Sequence, residues 1–183
     1  GKRALNQRQH ARQAVMIPML RSFLLVFFAA AYLNSTAAVA AELGQVTNLP
    51  VPRFVSLKAA NGNVRRGPSL THRIDWVFSQ RDMPLRITAE YDNWRRVEDR
   101  DGMGGWMHYS LLSGTRTVLI EQDRLPLLAR PEPNAPVVAL FELGAIARLG
   151  ECNLEWCYLR ADGYKGWAPK ARLWGVGAQE LRD

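Results

Sequence analysis

Histidine and cysteine are almost missing from this chain: 3 and 2 residues respectively among 183. Once an N-terminal leader is set aside, only His72 and His108 remain, both in the half of the chain that lacks Cys152 and Cys157. A zinc site built on the cysteines would need two further ligands that the sequence does not place beside them. The spacing Cys-x4-Cys is also not the Cys-x-x-Cys of a redox pair. No nucleophile-elbow motif surrounds Ser69 or Ser110, and Asp75 stands in no triad pattern with either histidine. No glycine-rich loop follows a strand and opens a helix, so no nucleotide phosphate site is expected. A long 3.6-residue apolar period is absent as well, which excludes a helical domain.

An excess of positive charge is also lacking, despite a net charge of +7. Five of the 24 basic residues (Lys2, Arg3, Arg8, Arg12 and Arg21) precede Ala41, and none of the 17 acidic ones does, which leaves 19 against 17. Nucleic acid is therefore not an expected partner. Residues 1–41 read as an over-extended start followed by a signal peptide. Arg21 forms the basic region, Ser22 to Leu33 the apolar run, and Ala38-Val39-Ala40 the small residues before cleavage near Ala41. The apolar run is shorter than the ~20 residues that span a bilayer. A periplasmic or secreted protein is expected, touching membrane only through an uncleaved leader.

What remains is written twice. "GWMHYSLLSG" begins at Gly105 and "GWAPKARLWG" at Gly166. Upstream, "NWRRVEDRDGMGGW" (Asn93–Trp106) matches "EWCYLRADGYKGW" (Glu155–Trp167), and "VRRGPS" (Val64–Ser69) matches "LLARPEP" (Leu127–Pro133). Repeated order at nearly constant spacing indicates tandem units of about 60 residues. Within the first, Leu85, Ile87, Ala89 and Tyr91 alternate with Arg86, Thr88 and Glu90. That period of two predicts a strand with the first set facing the core and the second facing water. Asp92-Asn93 is expected at a hairpin tip and "RDGMGG" at the next turn. So small a unit buries a limited share of its surface, and Trp94, Trp106, Trp156 and Trp167 are expected to fill its cores.

"NVRRGPS" followed by "MPLRITAEYDNWRRVEDRDGMGGWMHYSLLSG" resembles the bacterial SH3-like (SH3b) domains of secreted proteobacterial proteins. "LLARPEPNAPVV" with "CNLEWCYLRADGYKGWAPKARLWGV" resembles a second copy. The resemblance implies an all-β chain of two tandem small SH3-like β-barrels after the signal peptide. Its expected parts are a linker over 42–56, domains over 57–117 and 118–178, and a tail over 179–183. It also places Cys152 and Cys157 across a hairpin as a disulfide, in keeping with export.

Members of that family target cell walls or bind ligands. The resemblance, with the expected export and the absence of a catalytic residue set, points to a non-catalytic periplasmic binding protein that recognises cell-wall peptide or glycan, a peptidoglycan fragment. No cofactor or metal is expected. An envelope protein–protein adaptor is the alternative, and an envelope hydrolase has the least support. The aromatic and cationic residues Trp76, Tyr91, Trp94, Arg95, Trp106 and His108 of the first copy are the candidate ligand-binding set. The second copy departs from this pattern, with Ala129-Arg130-Pro131 at its start and Pro169 in place of His108. The disulfide is expected where the first copy has Tyr91 and Arg95.

Overall fold

The structure is a computed structural model that describes residues 42–183; the expected signal peptide and cleavage site lie outside them. Among the described residues there is no α-helix, and no helix is long and apolar enough to cross a membrane. The chain forms two seven-stranded antiparallel sheets and one short hairpin.

The hairpin comes first, β1 (Glu42–Leu43) against β2 (Pro50–Val51). The first domain holds β3 (Arg53–Leu57), β4 (Gly62–Arg65), β5 (Ile74–Phe78), β6 (Pro84–Tyr91), β7 (Trp94–Glu98), β8 (Gly104–His108) and β9 (Leu112–Ser113). The second holds β10 (Thr117–Ile120), β11 (Leu125–Leu128), β12 (Val137–Phe141), β13 (Ile146–Cys152), β14 (Trp156–Ala161), β15 (Tyr164–Pro169) and β16 (Leu173–Trp174). A single 3-10 turn precedes the last strand of each domain, Tyr109–Leu111 and Lys170–Arg172. The strand orders β5-β4-β8-β7-β6-β3-β9 and β12-β11-β15-β14-β13-β10-β16 are the same order written twice. The two tandem all-β domains are therefore one topology repeated.

Residues 42–56 are not a linker. Arg53–Leu57 pairs along β6 and β9, and the hairpin before it docks on Glu90. Thr117 belongs to the second domain, where it pairs with Arg148. Residues 179–183 are docked as well: Arg182 exchanges both backbone hydrogen bonds with Cys152.

Each sheet packs on its own aliphatic cluster. Leu57, Val64, Leu85, Ile87, Val97 and Met107 fill the first, and Val118, Ile120, Leu125, Leu127, Leu149 and Leu159 the second. No tryptophan joins either cluster, so the sequence expectation holds only in part: Trp156 is buried in a separate small core with Leu128 and Ala135, against which Trp167 packs, and Trp94 is buried outside the first cluster. In β7, Arg95 and Val97 point inward, and Trp94 and Arg96 alternate with them on the outer side.

The recurring Gly-Trp has a backbone cause. A Cβ on Gly105 would stand 2.6 Å from the Arg65 carbonyl oxygen, and one on Gly166 would stand 2.5 Å from that of Leu128. At these points β8 crosses β4 and β15 crosses β11. Only glycine permits so close an approach.

Candidate ligand-binding surface

The site is set by an irregularity in β6. Its pairing with β7 shifts register between Ile87 and Ala89, and a bulge of one residue exchanges the faces of everything beyond it. Glu90, expected in water, is buried, and Tyr91, expected in the core, is 58% exposed.

The burial of Glu90 is compensated by four donors and a nearby cation. Val46 and Thr47 donate their backbone N–H groups to Oε2 at 3.0 and 2.9 Å, and the Thr47 hydroxyl donates to Oε1 at 2.7 Å. Arg53 donates to Oε1 at 2.6 Å, and the Arg95 Nε lies 3.6 Å from the same oxygen. Burial pushes this carboxyl up, but the hydrogen bonds from Thr47, Arg53 and Val46 outweigh it and hold it down to about 2. Arg95 is buried too and donates to the carbonyls of Asp92 and Trp94, each at 2.8 Å. It is a fixed cation below the surface and is not free to grip a ligand.

Above it lies an aromatic group. Trp94 is directly opposite both Tyr91 and His108. The Trp94 and His108 rings meet edge to face at 5.6 Å, and His108 and Tyr109 lie tilted at 4.9 Å. The Arg95 guanidinium is 5.9 Å from the centre of the Tyr109 ring. Tyr91 and Tyr109 are both more than half exposed. Tyr109 was not in the sequence-derived set. Its position beside His108 was the available signal, since Lys170 replaces it after Pro169.

The six expected residues are thus only partly gathered. Tyr91, Trp94, Arg95 and His108 form one cluster with Tyr109. Trp106 lies further along the outer face of β8, opposite Arg96 and Arg65. Trp76 is half exposed on the edge strand β5, outside that group. Phe78 is in the core, and Arg73 with Arg66 is neutralised on Asp75.

His108 Nδ1 lies 2.8 Å from the Ser110 hydroxyl, in a contact local to the 3-10 turn. No carboxylate of the described residues hydrogen-bonds to that ring. Nor does any group of three or more His, Cys, Asp or Glu among them stand where it could hold a metal ion.

The second domain lacks this surface. Trp156 faces Pro169 and packs with Leu128, Ala135 and Trp167, while Lys170 is buried and donates to the Glu180 carbonyl at 2.6 Å. Cys152 and Cys157 are directly opposed and joined. They occupy the register positions of Glu90 and Arg95, so the partner of Arg95 in this comparison is Glu90 and not Tyr91.

A family profile described as "Bacterial SH3 domain" matches residues 58–114 and again 121–175, more than half of the chain. The chain belongs to the bacterial SH3 domain family. The two matches coincide with the two seven-stranded sheets, so the repeat in sequence is a repeat of this domain. No curated protein matches the chain. Among solved structures, NlpC2 and NlpC1 of Trichomonas vaginalis are similar at 12% identity, with TM-scores of 0.32 and 0.33, covering 67% and 72% of this chain. The bacterial SH3 chain spans 48% of the length of each.

Proposed function

We propose that this tandem bacterial SH3 protein is a non-catalytic binding protein of the periplasm whose first domain recognises peptide or glycan of the cell wall. The observation that carries the reading is a run of aromatic rings with exposed ends: Tyr91 opposite Trp94, Trp94 opposite His108, and Tyr109 against His108 and the fixed Arg95. Flat aromatic faces beside a cation suit sugar rings and peptide groups, and they lose little conformational freedom on binding. Arg96, which takes part in no ion pair among the described residues, adds an accessible charge on the same outer face. The second domain, with Pro169 and a buried Lys170 at these positions, serves as support.

Co-sedimentation with purified sacculi tests this reading. The Tyr91→Ala, Tyr109→Ala double variant removes two exposed side chains, so circular dichroism should be unchanged. Its affinity for sacculi should fall tenfold or more, since a truncated aromatic anchor costs above about 1 kcal/mol. Undiminished binding by this variant, or no binding by the parent protein, overturns the reading.

An adaptor role draws on a different feature. The edge strand β12 exposes Val137, Val138 and Leu140, a surface on which a partner strand could pair. Capture of an envelope protein from a periplasmic extract that is lost on Val138→Lys but kept in the tyrosine variant would favour it.

A further inference from the structure

The second domain carries three cations where the first carries a neutralised pair. In the first, Arg86 on β6 is directly opposite Glu98 on β7, and Arg86 Nε donates to Glu98 Oε1 at 2.7 Å. In the second, the corresponding opposition on β13 and β14 is Arg148 against Arg160, and Arg160 in turn is opposite Lys165 on β15. Three adjacent strands thus present three positive side chains in one row. Directly opposed residues stand about 5 Å apart at Cβ, and like charges at that spacing destabilise a sheet.

None of the three takes part in an ion pair among the described residues. The row lines a concavity of about 430 Å³ shared with Tyr164, Asp162 and Asp82, a volume within the range of small-ligand sites. Arg160 is held 5.4 Å from the centre of the Tyr158 ring, which steadies its guanidinium. Asp82 and Asp162 bear the opposite charge on the same lining, but neither approaches the cations closely enough to pair.

We infer that Arg148, Arg160 and Lys165 form an oxyanion-binding site that takes a phosphate or a carboxylate group of a small ligand. Two guanidinium forks and an ammonium supply donors that a tetrahedral or planar oxyanion accepts, and its charge relieves the repulsion within the row. The site lies on the second domain, so it stands or falls independently of the aromatic surface on the first.

The full chain, titrated at low ionic strength and followed by amide chemical shifts, provides the test. Inorganic phosphate is one probe, and acetyl-Ala-Ala with a free carboxylate is the other, with its C-terminal amide as control. A saturable response is expected at Arg148, Arg160, Gly163 and Lys165, with a Kd of about 1 mM or tighter for at least one probe. The tighter of the two identifies whether phosphate or carboxylate is the source. Arg160→Glu restores the charge pattern of the first domain and should weaken binding tenfold or more. Arg148→Gln and Lys165→Gln alter only exposed side chains and should each weaken it several-fold, which keeps the test valid if Arg160→Glu fails to fold. Shifts spread over all basic residues, equal binding of acid and amide, or unchanged affinity in the variants would overturn the assignment.

Discussion

Glu90 stands in the first domain where Cys152 stands in the second, and each bonds to the residue directly across the β hairpin: Arg95 in one case, Cys157 in the other. The same point of the same topology is cross-linked once by an ion pair and once by a covalent bond. A flanking segment also docks on each. The 42–51 hairpin donates to Glu90, and Arg182 pairs with Cys152.

The hydrogen bonds from Thr47, Arg53 and Val46 that keep the buried Glu90 ionised should make the first domain sensitive to acid. Glu90 titrates at about 2 in the folded protein against an ordinary 4.5. A depressed carboxyl contributes stability that is complete above its unfolded value and is lost as the pH falls through its folded one. Denaturant midpoints should therefore decline as the pH drops from 4.5 toward about 2. Glu180, held low by Arg116 and the Gly177 amide against the opposing effect of burial, acts in the same direction. Glu90→Gln should flatten the acid limb and cost about 3 kcal/mol at neutral pH, because it leaves Arg53, and the buried Arg95 beside it, without their counter-charge. A steep acid limb retained in that variant would place the effect elsewhere.

Reduction of Cys152–Cys157 should act on the second domain alone. A bridge between residues five apart closes a short loop, so its loss should cost only about 2 kcal/mol. Hydrogen exchange should accelerate in β13, β14 and at Arg182, with β6 and β7 unchanged. Two free thiols in the native oxidised protein would contradict the pairing.

Gly105→Ala and Gly166→Ala should be equally harmful. Each Cβ meets a carbonyl oxygen of the neighbouring strand that cannot move without parting the sheet. A loss of roughly 1–3 kcal/mol is expected for each, as for other overpacked positions. Gly114→Ala is the control, since nothing lies within 4 Å of its Cβ. Chemical denaturation of the three variants gives the comparison.

The domains should melt together and separate on mutation. Phe54 meets Trp174 edge to face at 5.3 Å, Arg116 covers Phe54 at 5.6 Å, and the Thr117 hydroxyl donates to the Asp82 carbonyl at 2.7 Å. Phe54→Ala removes the ring on which two of these contacts depend. Calorimetry should then resolve two transitions in place of one, and a single unchanged transition would show that the contacts carry little coupling.

The sequence by itself determined the repeat, the all-β class and the turns. Gly, Asn and Asp at fixed offsets select turn conformations locally, and Asp92 does adopt the positive φ of a hairpin tip. Tertiary structure decided which side of each strand faced inward. The register shift beside Thr88 moved Tyr91 out and Glu90 in, and nothing in the period of Leu85 to Tyr91 marks it. A bulge is favoured by contacts with other strands and segments, here Arg53, Val46 and Thr47 around the Glu90 carboxylate, which lie some 40 residues away in sequence. The row of Arg148, Arg160 and Lys165 was invisible for the same reason. Residues scattered over three strands become neighbours only when pairing sets their register.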